Sequence, residues 1–328
     1  MFIIKVLFFL AITFLTDNGF QISMCSEIAS NGRDKIISNN RDYYKLVLYI
    51  LNIIFCAFFL IVLIVKNNLD SYLLEPLMTP AEYLAHHPWV QVGSFIWTEP
   101  SSSAFIFGFA TQATILGIYF LVKNQKNPFL IWWGIALIAW GLSAYFAGTS
   151  YQALSFELKC RGYTYCLWTS WCEIVYLCLT ALSISGMLFA QSYLLKSERG
   201  QKGMQYYALG SFIIYLIVLI LGMLLTVKFL LTFEMLIIFM LPAILLMFGL
   251  NIKGASKDKN PKDKHAMWIW IVLGIAMVAY YAFYLSGIPE LLWEKGIWFN
   301  ANDVLHIGLI CWMIVIFVKL KKITSNSQ

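Results

Sequence analysis

Apolar runs of about 20 residues, separated by short polar segments, set the pattern of this 328-residue chain. The runs cover 43–65, 103–123, 129–150, 165–192, 205–227, 230–251, 267–287 and 303–320. Lipid offers the backbone no hydrogen-bond partners, so a spanning segment must be a helix or part of a closed barrel. The runs lack the apolar–polar alternation of barrel strands, which need only about 10 residues each. The pattern therefore predicts an all-α fold, a polytopic transmembrane helical bundle of eight spans. Seven of them form a core over 103–320, and 43–65 precedes it as an extra span. A further apolar stretch, Phe2 to Thr16, lies in the N-terminal segment 1–42. It reads as a ninth span, an interfacial segment or a signal-peptide core, although no A-x-A site follows it.

Between the spans, loop 66–102 contains MTPAEYLAHHPW. Thr79 suits an N-cap, Pro80 the first helical position and Glu82 the third position of a capping box, so a short helix is predicted over 80–87. Lys and Arg number thirteen in 123–128, 193–204, 252–266 and the segment after 318 (two, three, five and three). They number five in 66–102, 151–164, 228–229 and 288–302 (one, two, one and one). The positive-inside rule then puts the first set, with the C-terminal tail 321–328, in the cytoplasm. The expectation is an integral protein of a plasma or inner membrane. Loops 66–102 and 288–302 face outward. The run KGASKDKNPKDK, Lys253 to Lys264, reads as a solvated loop touching anionic headgroups.

Composition agrees. The chain is 60% hydrophobic and 12% charged, with mean hydropathy +0.74, about half the charge of a soluble domain. The net charge of +6 is accounted for by the loops and does not indicate nucleic-acid binding. The seven cysteines form no CxxC pair. Cys56, Cys172, Cys178 and Cys311 fall in apolar runs and read as small core residues. Cys160 and Cys166 flank CRGYTYC and can pair if that loop faces an oxidising compartment. No P-loop is present.

An ionisable group inside a span is costly and marks a site by default. Glu173 lies in the run 165–192, and Thr169, Glu173, Tyr176, Thr180 and Ser183 recur at helical spacing. Two readings of this stripe stand: the wall of a polar cavity with Glu173 as acid, base or ligand, or interhelical glue holding a protonated Glu173. Ser150 and Gln152 at the end of 129–150, and Gln112 beside Thr111 and Thr114, are candidates to line the same cavity. Ser150 lacks a G-x-S-x-G context and is not read as a nucleophile. Lys228 and Glu234 bracket a tight turn and are expected to pair, and Pro242 to kink its helix.

The last run opens WFNANDVLHIGLICWM, with Asp303 and His306 three residues apart on one face. One reading is a cap by Asn302 or Asp303, with His306 donating to Asp303. The other is an acid–base or metal pair. His306, Asp303 and His86 would be the ligands of a zinc ion with an open position for water.

A seven-helix core with an Asp/His pair opening its last helix resembles the CREST superfamily of alkaline ceramidases and progestin/adipoQ-type receptors. The resemblance spans 103–320 loosely. That family's last helix carries HxxxH; His306 fills the first position and Ile310 stands at the second. The resemblance implies histidine-held zinc and hydrolysis of lipid amides. GTSYQALSFELKC and CLWTSWCEIVYL are also similar to segments of uncharacterised bacterial multi-pass proteins. The function expected is a membrane-embedded hydrolase of a lipid-like substrate with catalytic Glu173, Asp303 and His306. The alternatives are a small-molecule or proton-coupled transporter, and a receptor or assembly subunit. Membrane lipid and a lipid-like or small-molecule ligand are the expected partners.

Overall fold

A computed structural model describes residues 53–123 and 127–325. The chain divides into two units, 1–61 and 62–328. The described part of the first is 53–61, within helix α1 (Ile53–Leu69). The stretch 2–16 and the start of the run at 43 lie outside the described residues. The second unit continues with α2 (Pro80–His86), strands β1 (Trp89–Val92) and β2 (Phe95–Thr98), α3 (Pro100–Lys123) and α4 (Pro128–Ala147). A π-helical turn, Gly148–Ala153, and the short α5 (Ser155–Lys159) come next. Then follow α6 (Trp171–Ser192), α7 (Glu198–Leu225), a 3-10 turn (Lys228–Leu231), α8 (Phe233–Ser256), α9 (Pro261–Tyr284), α10 (Ile288–Glu294) and α11 (Ala301–Ser325).

Seven described helices are long and apolar enough to cross a membrane: α3, α4 with its π turn, α6, α7, α8, α9 and α11. This makes the chain a multi-pass membrane protein. Their starts follow local chemistry. Asn127, Ser197, Thr232 and Asn260 each accept a backbone N–H in the first turn, satisfying donors that a helix start leaves unpaired. Prolines follow Asn127 and Asn260 at the first helical position.

The bundle centre is set by burial. In α6 and α4, 89% and 78% of the most apolar window is buried, against 28–44% in the other five spans. Trp132 of α4 stacks on Phe189 of α6 at 4.3 Å. The α3–α4 seam is closer still. A Cβ on Gly141 would lie 2.7 Å from the Ala110 carbonyl oxygen, and one on Gly117 2.7 Å from that of Gly134. Helix α11 packs between α3 and α9, and the Trp312 indole donates to the Ile269 carbonyl at 2.7 Å.

One end of the bundle carries a folded cap. Strap 70–79 crosses the segment 160–168 through Leu74 N–H to the Cys166 carbonyl, Cys166 N–H to Met78 and Trp168 N–H to Tyr72. Cys160 and Cys166 form a disulfide and share a small core with Tyr83 and Phe156. Lys228 ties the α7–α8 turn to the strap, donating to Glu75 at 2.7 Å and to the Leu73 carbonyl. The expected Lys228–Glu234 pair is therefore not made, because the strap reaches the lysine. At the opposite end, Lys196 pairs with Asp258 at 3.0 Å.

Several expectations shift. Helix α6 starts at Trp171 instead of 165, because the disulfide and the backbone bonds to Tyr72, Met78 and Lys159 hold 166–168 extended. Helix α2 and its complete capping box match the reading of 80–87 to within one residue. The β-hairpin and α10 were not expected. Cys172 and Cys178 are buried, but Cys56 and Cys311 are exposed, Cys311 because it lies on the face of α11 turned away from the buried Trp312 and Met313.

Candidate functional site

Glu173 is the third residue of α6. Its Oε1 accepts from Lys159 Nζ at 2.5 Å and from Ser150 Oγ at 2.8 Å, and its Oε2 accepts from Thr169 Oγ1 at 2.9 Å. Ser170, at the N-cap position, donates to Ser150 Oγ at 2.6 Å, and its side chain makes no capping bond to its own helix. Four segments converge here: the π turn brings Ser150, α5 brings Lys159, the residues just before α6 bring Thr169 and Ser170, and α6 brings the carboxylate. Lys159 is 7% exposed and Glu173 3%, so the pair is sealed from water. The Tyr151 ring covers the ammonium, 4.9 Å from its centroid. A carboxylate holding three donors has little capacity left to act as a base. This is a buried ion pair whose remaining lone pairs are satisfied, the arrangement that offsets the desolvation of both charges.

The rest of the α6 stripe also has protein partners. Ser143 of α4 donates to Thr180 Oγ1 at 2.6 Å, and Thr180 bonds the Tyr176 carbonyl. Ser183 donates to the Ala136 carbonyl at 2.7 Å, and the Tyr176 ring meets Tyr151 edge-on. Beside the ion pair, Tyr83 donates to Ser155, Ser155 to Thr98, and Thr98 to the Gln152 carbonyl. Burial pushes the Tyr83 phenol above its ordinary pKa, with Lys159 acting in the opposite direction.

The second polar cluster lies where α3 and α11 begin. Asn300 caps α11. Its Oδ1 accepts from Asn302 N–H and Asp303 N–H, and Asp303 Oδ2 accepts from Asn300 N–H at 2.9 Å. The cap thus sits two or three residues before the expected Asn302 or Asp303, and Asp303 closes a capping box. The Asn300 amide donates to Ser102 Oγ at 3.0 Å and reaches Glu99 at 3.5 Å. Glu99, at φ +46°, also meets His87 Nδ1 at 3.1 Å. His306 does not bond Asp303; its ring lies 6.5 Å from that of Phe109.

Asp303 and His306 are 0% and 7% exposed, yet Asp303 Oδ1 and His306 Nδ1 make no hydrogen bond of normal geometry, although Ser101 and Ser102 stand beside the Asp303 carboxyl and the Asn302 carbonyl beside the His306 ring. Buried polar atoms are rarely left so, and each such atom asks for a cause. Gln112 Oε1 is a third. It lies three residues beyond Phe109 on α3, the spacing that shares a helix face. The ring contacts Phe105–Phe299, Phe109–His306 and Phe120–Phe317 show α3 and α11 running parallel along this seam. Gln152 Oε1, in the π turn, is unpartnered as well.

The candidates thus separate into two groups. Ser150, Thr169 and Glu173 meet in one network; Asp303, His306 and Gln112 line the α3–α11 seam. No hydrogen bond or ion pair joins the groups among the described residues. His86 is at the end of α2, and among the described residues no three of His, Cys, Asp and Glu gather where they could hold a metal ion. A catalytic zinc takes three protein ligands, so the donor set His306, Asp303 and His86 does not fit it. Sequence reasoning missed Lys159, whose position after SFEL marked it only as a loop charge. It also missed Glu99 and Asn300, which meet 201 residues apart. No protein-family model matches the chain, and no curated protein or solved structure matches it either.

Proposed function

We propose that the protein is a membrane-embedded hydrolase of a lipid-like substrate, with its site at the cap end of the α3–α11 seam. The observation that supports this reading is the pair of buried atoms Asp303 Oδ1 and His306 Nδ1, one helical turn apart, neither of which makes a hydrogen bond of normal geometry. A water held by both would meet two acceptors. His306 takes its proton as the oxygen adds to the substrate carbonyl, then returns that proton to the leaving amine or alcohol as the bond to carbon breaks. Asp303 holds the water, and Gln112 is placed to bind the substrate's polar group. Glu173 is assigned a structural role, because its oxygens are already occupied.

The cap end is taken as exoplasmic and the C-terminus as cytoplasmic. The distribution of Lys and Arg supports this, and so does the disulfide, which belongs in an oxidising compartment. A transport reading fares worse. Between Ser183 and Gln191, α6 buries Ile184, Met187, Leu188 and Phe189, and its one buried hydroxyl there, Ser185, stands about 200 degrees around the helix from Ser183, so its polar groups form no continuous line. The exposed Trp89, Phe95 and Trp97 of the hairpin favour a receptor or assembly subunit as the second reading.

The test is turnover of amide- and ester-linked lipids by the purified chain in vesicles. His306→Ala and Asp303→Asn should each lower it by about 100-fold or more, the usual contribution of a positioned acid or base. Unchanged turnover in both variants would remove the hydrolase reading.

A further inference from the structure

Helix α10 has no buried residue, although it is mostly apolar. Ile288, Leu291 and Leu292 recur at i, i+3 and i+4 and share one face; Glu290 and Glu294 stand on the other. Trp293 lies between the two faces. Ile288 and Leu291 are 42% and 56% exposed. A seven-residue helix has too few hydrogen bonds to hold itself in water and depends on covering its apolar side. The preceding helix shows what does the covering. The exposed residues Ile275, Val278, Tyr281 and Leu285 form a stripe along the outer side of α9, a span whose outer face meets lipid. The stripe continues from Leu285 to Ile288 and Leu291 with only the turn at Gly287 between them.

The geometry points to α10 as an interfacial helix, lying in the membrane plane with Ile288, Leu291 and Leu292 in the headgroup–acyl boundary of the leaflet at the cap end. Its two acids face water, and Trp293 and Trp298 take the level where indoles favour the interface. Gly287 and Gly296 bracket it in the left-handed region, at φ +69° and +73°. They let the chain turn out of α9 and back towards the start of α11, where Ser101 Oγ donates to the Trp298 carbonyl at 2.5 Å. This inference stands independently of the hydrolase reading.

A photoreactive benzophenone amino acid placed in turn at 288, 291, 290 and 294 of the full chain, reconstituted in phosphatidylcholine vesicles, tests it by mass spectrometry of the adducts. Positions 288 and 291 should capture lipid severalfold more than 290 and 294. Equal lipid capture at all four positions would overturn the assignment. So would adducts at 291 made mainly to a second copy of the chain, or mainly to residues 1–52 of the same chain. All four positions are exposed, and an unchanged melting temperature of each labelled protein shows that it folds.

Discussion

Replacing Lys159 by Met removes the ammonium and keeps most of the side-chain volume, leaving the Glu173 carboxylate buried with only Ser150 and Thr169 as donors. The side chains of the pair are 9% and 4% exposed, so water cannot replace the lost partner. Truncating one member of such a buried pair costs about 3–5 kcal/mol, mostly the unpaired charge left behind. The two remaining hydroxyl donors place this site at the lower end, about 3 kcal/mol. Glu173→Gln should cost a similar amount by stranding the lysine. The double variant strands neither charge, and both side chains stay uncharged and close in size. Its destabilisation should fall below the sum of the singles by about 2 kcal/mol, within the range measured for groups in direct contact. Unfolding of the purified protein by titrated dodecyl sulfate, followed by tryptophan fluorescence, measures all four corners of the cycle. Additive losses would refute the argument that the two charges sustain each other. A Lys159→Met variant as stable as the parent would show that Glu173 is neutral in the fold.

Other outcomes follow from packing and caps. Gly141→Ala forces a Cβ within 2.7 Å of the Ala110 carbonyl oxygen and should destabilise by about 2 kcal/mol or more, whereas Gly210→Ala and Gly274→Ala meet open space in helices and should stabilise by about 0.5–1 kcal/mol; thermal shifts in detergent read both signs. Replacing Cys160 and Cys166 together by Ala opens a short loop and should cost about 2 kcal/mol. Both sulfurs are fully buried, so thiol labelling after reductant should appear only once the fold is opened. Hydrogen bonds from Thr79 hold the Glu82 pKa below its ordinary value. A depressed folded pKa contributes stability above the ordinary glutamate value and loses it as pH falls through the folded one. The protection factor over 80–86, the exchange rate corrected for the intrinsic effect of pH, should therefore fall on acidification in the parent, and Thr79→Ala, which keeps the backbone donor but loses the hydroxyl, should weaken that pH dependence.

Local rules carried well wherever the cause is local. The capping box at Thr79 depends on four neighbouring residues, and the spans depend on runs of apolar side chains with nowhere else to go. Those rules failed at Glu173. The run 165–192 is apolar from its start, but the segment 166–168 is claimed by the strap, which places the acid in a first turn. Asp303 and Glu234 are also first-turn acids, and Glu99 directly precedes α3. Carboxylates at helix N-termini are stabilised by the unpaired N–H groups and the helix dipole. An acid near a span therefore marks a helix start as readily as it marks a site.

The class of the molecule is written in its amino acids. Free energy of transfer to lipid is a sum over a segment, so composition and run length settle a multi-pass helical bundle; they gave eight spans, of which seven are helices long and apolar enough to cross a membrane among the described residues. Which charges meet depends on packing. Lys159 reaches Glu173 because a disulfide and a π turn fold the cap over the start of α6, and Glu99 reaches Asn300 because α3 and α11 begin side by side. Hydrogen bonds act over a few ångströms, and proximity between distant parts of a chain is a property of the packed fold. The same holds for Asp303 and His306: their spacing is written in the sequence, but their burial exists only once α3 closes against α11.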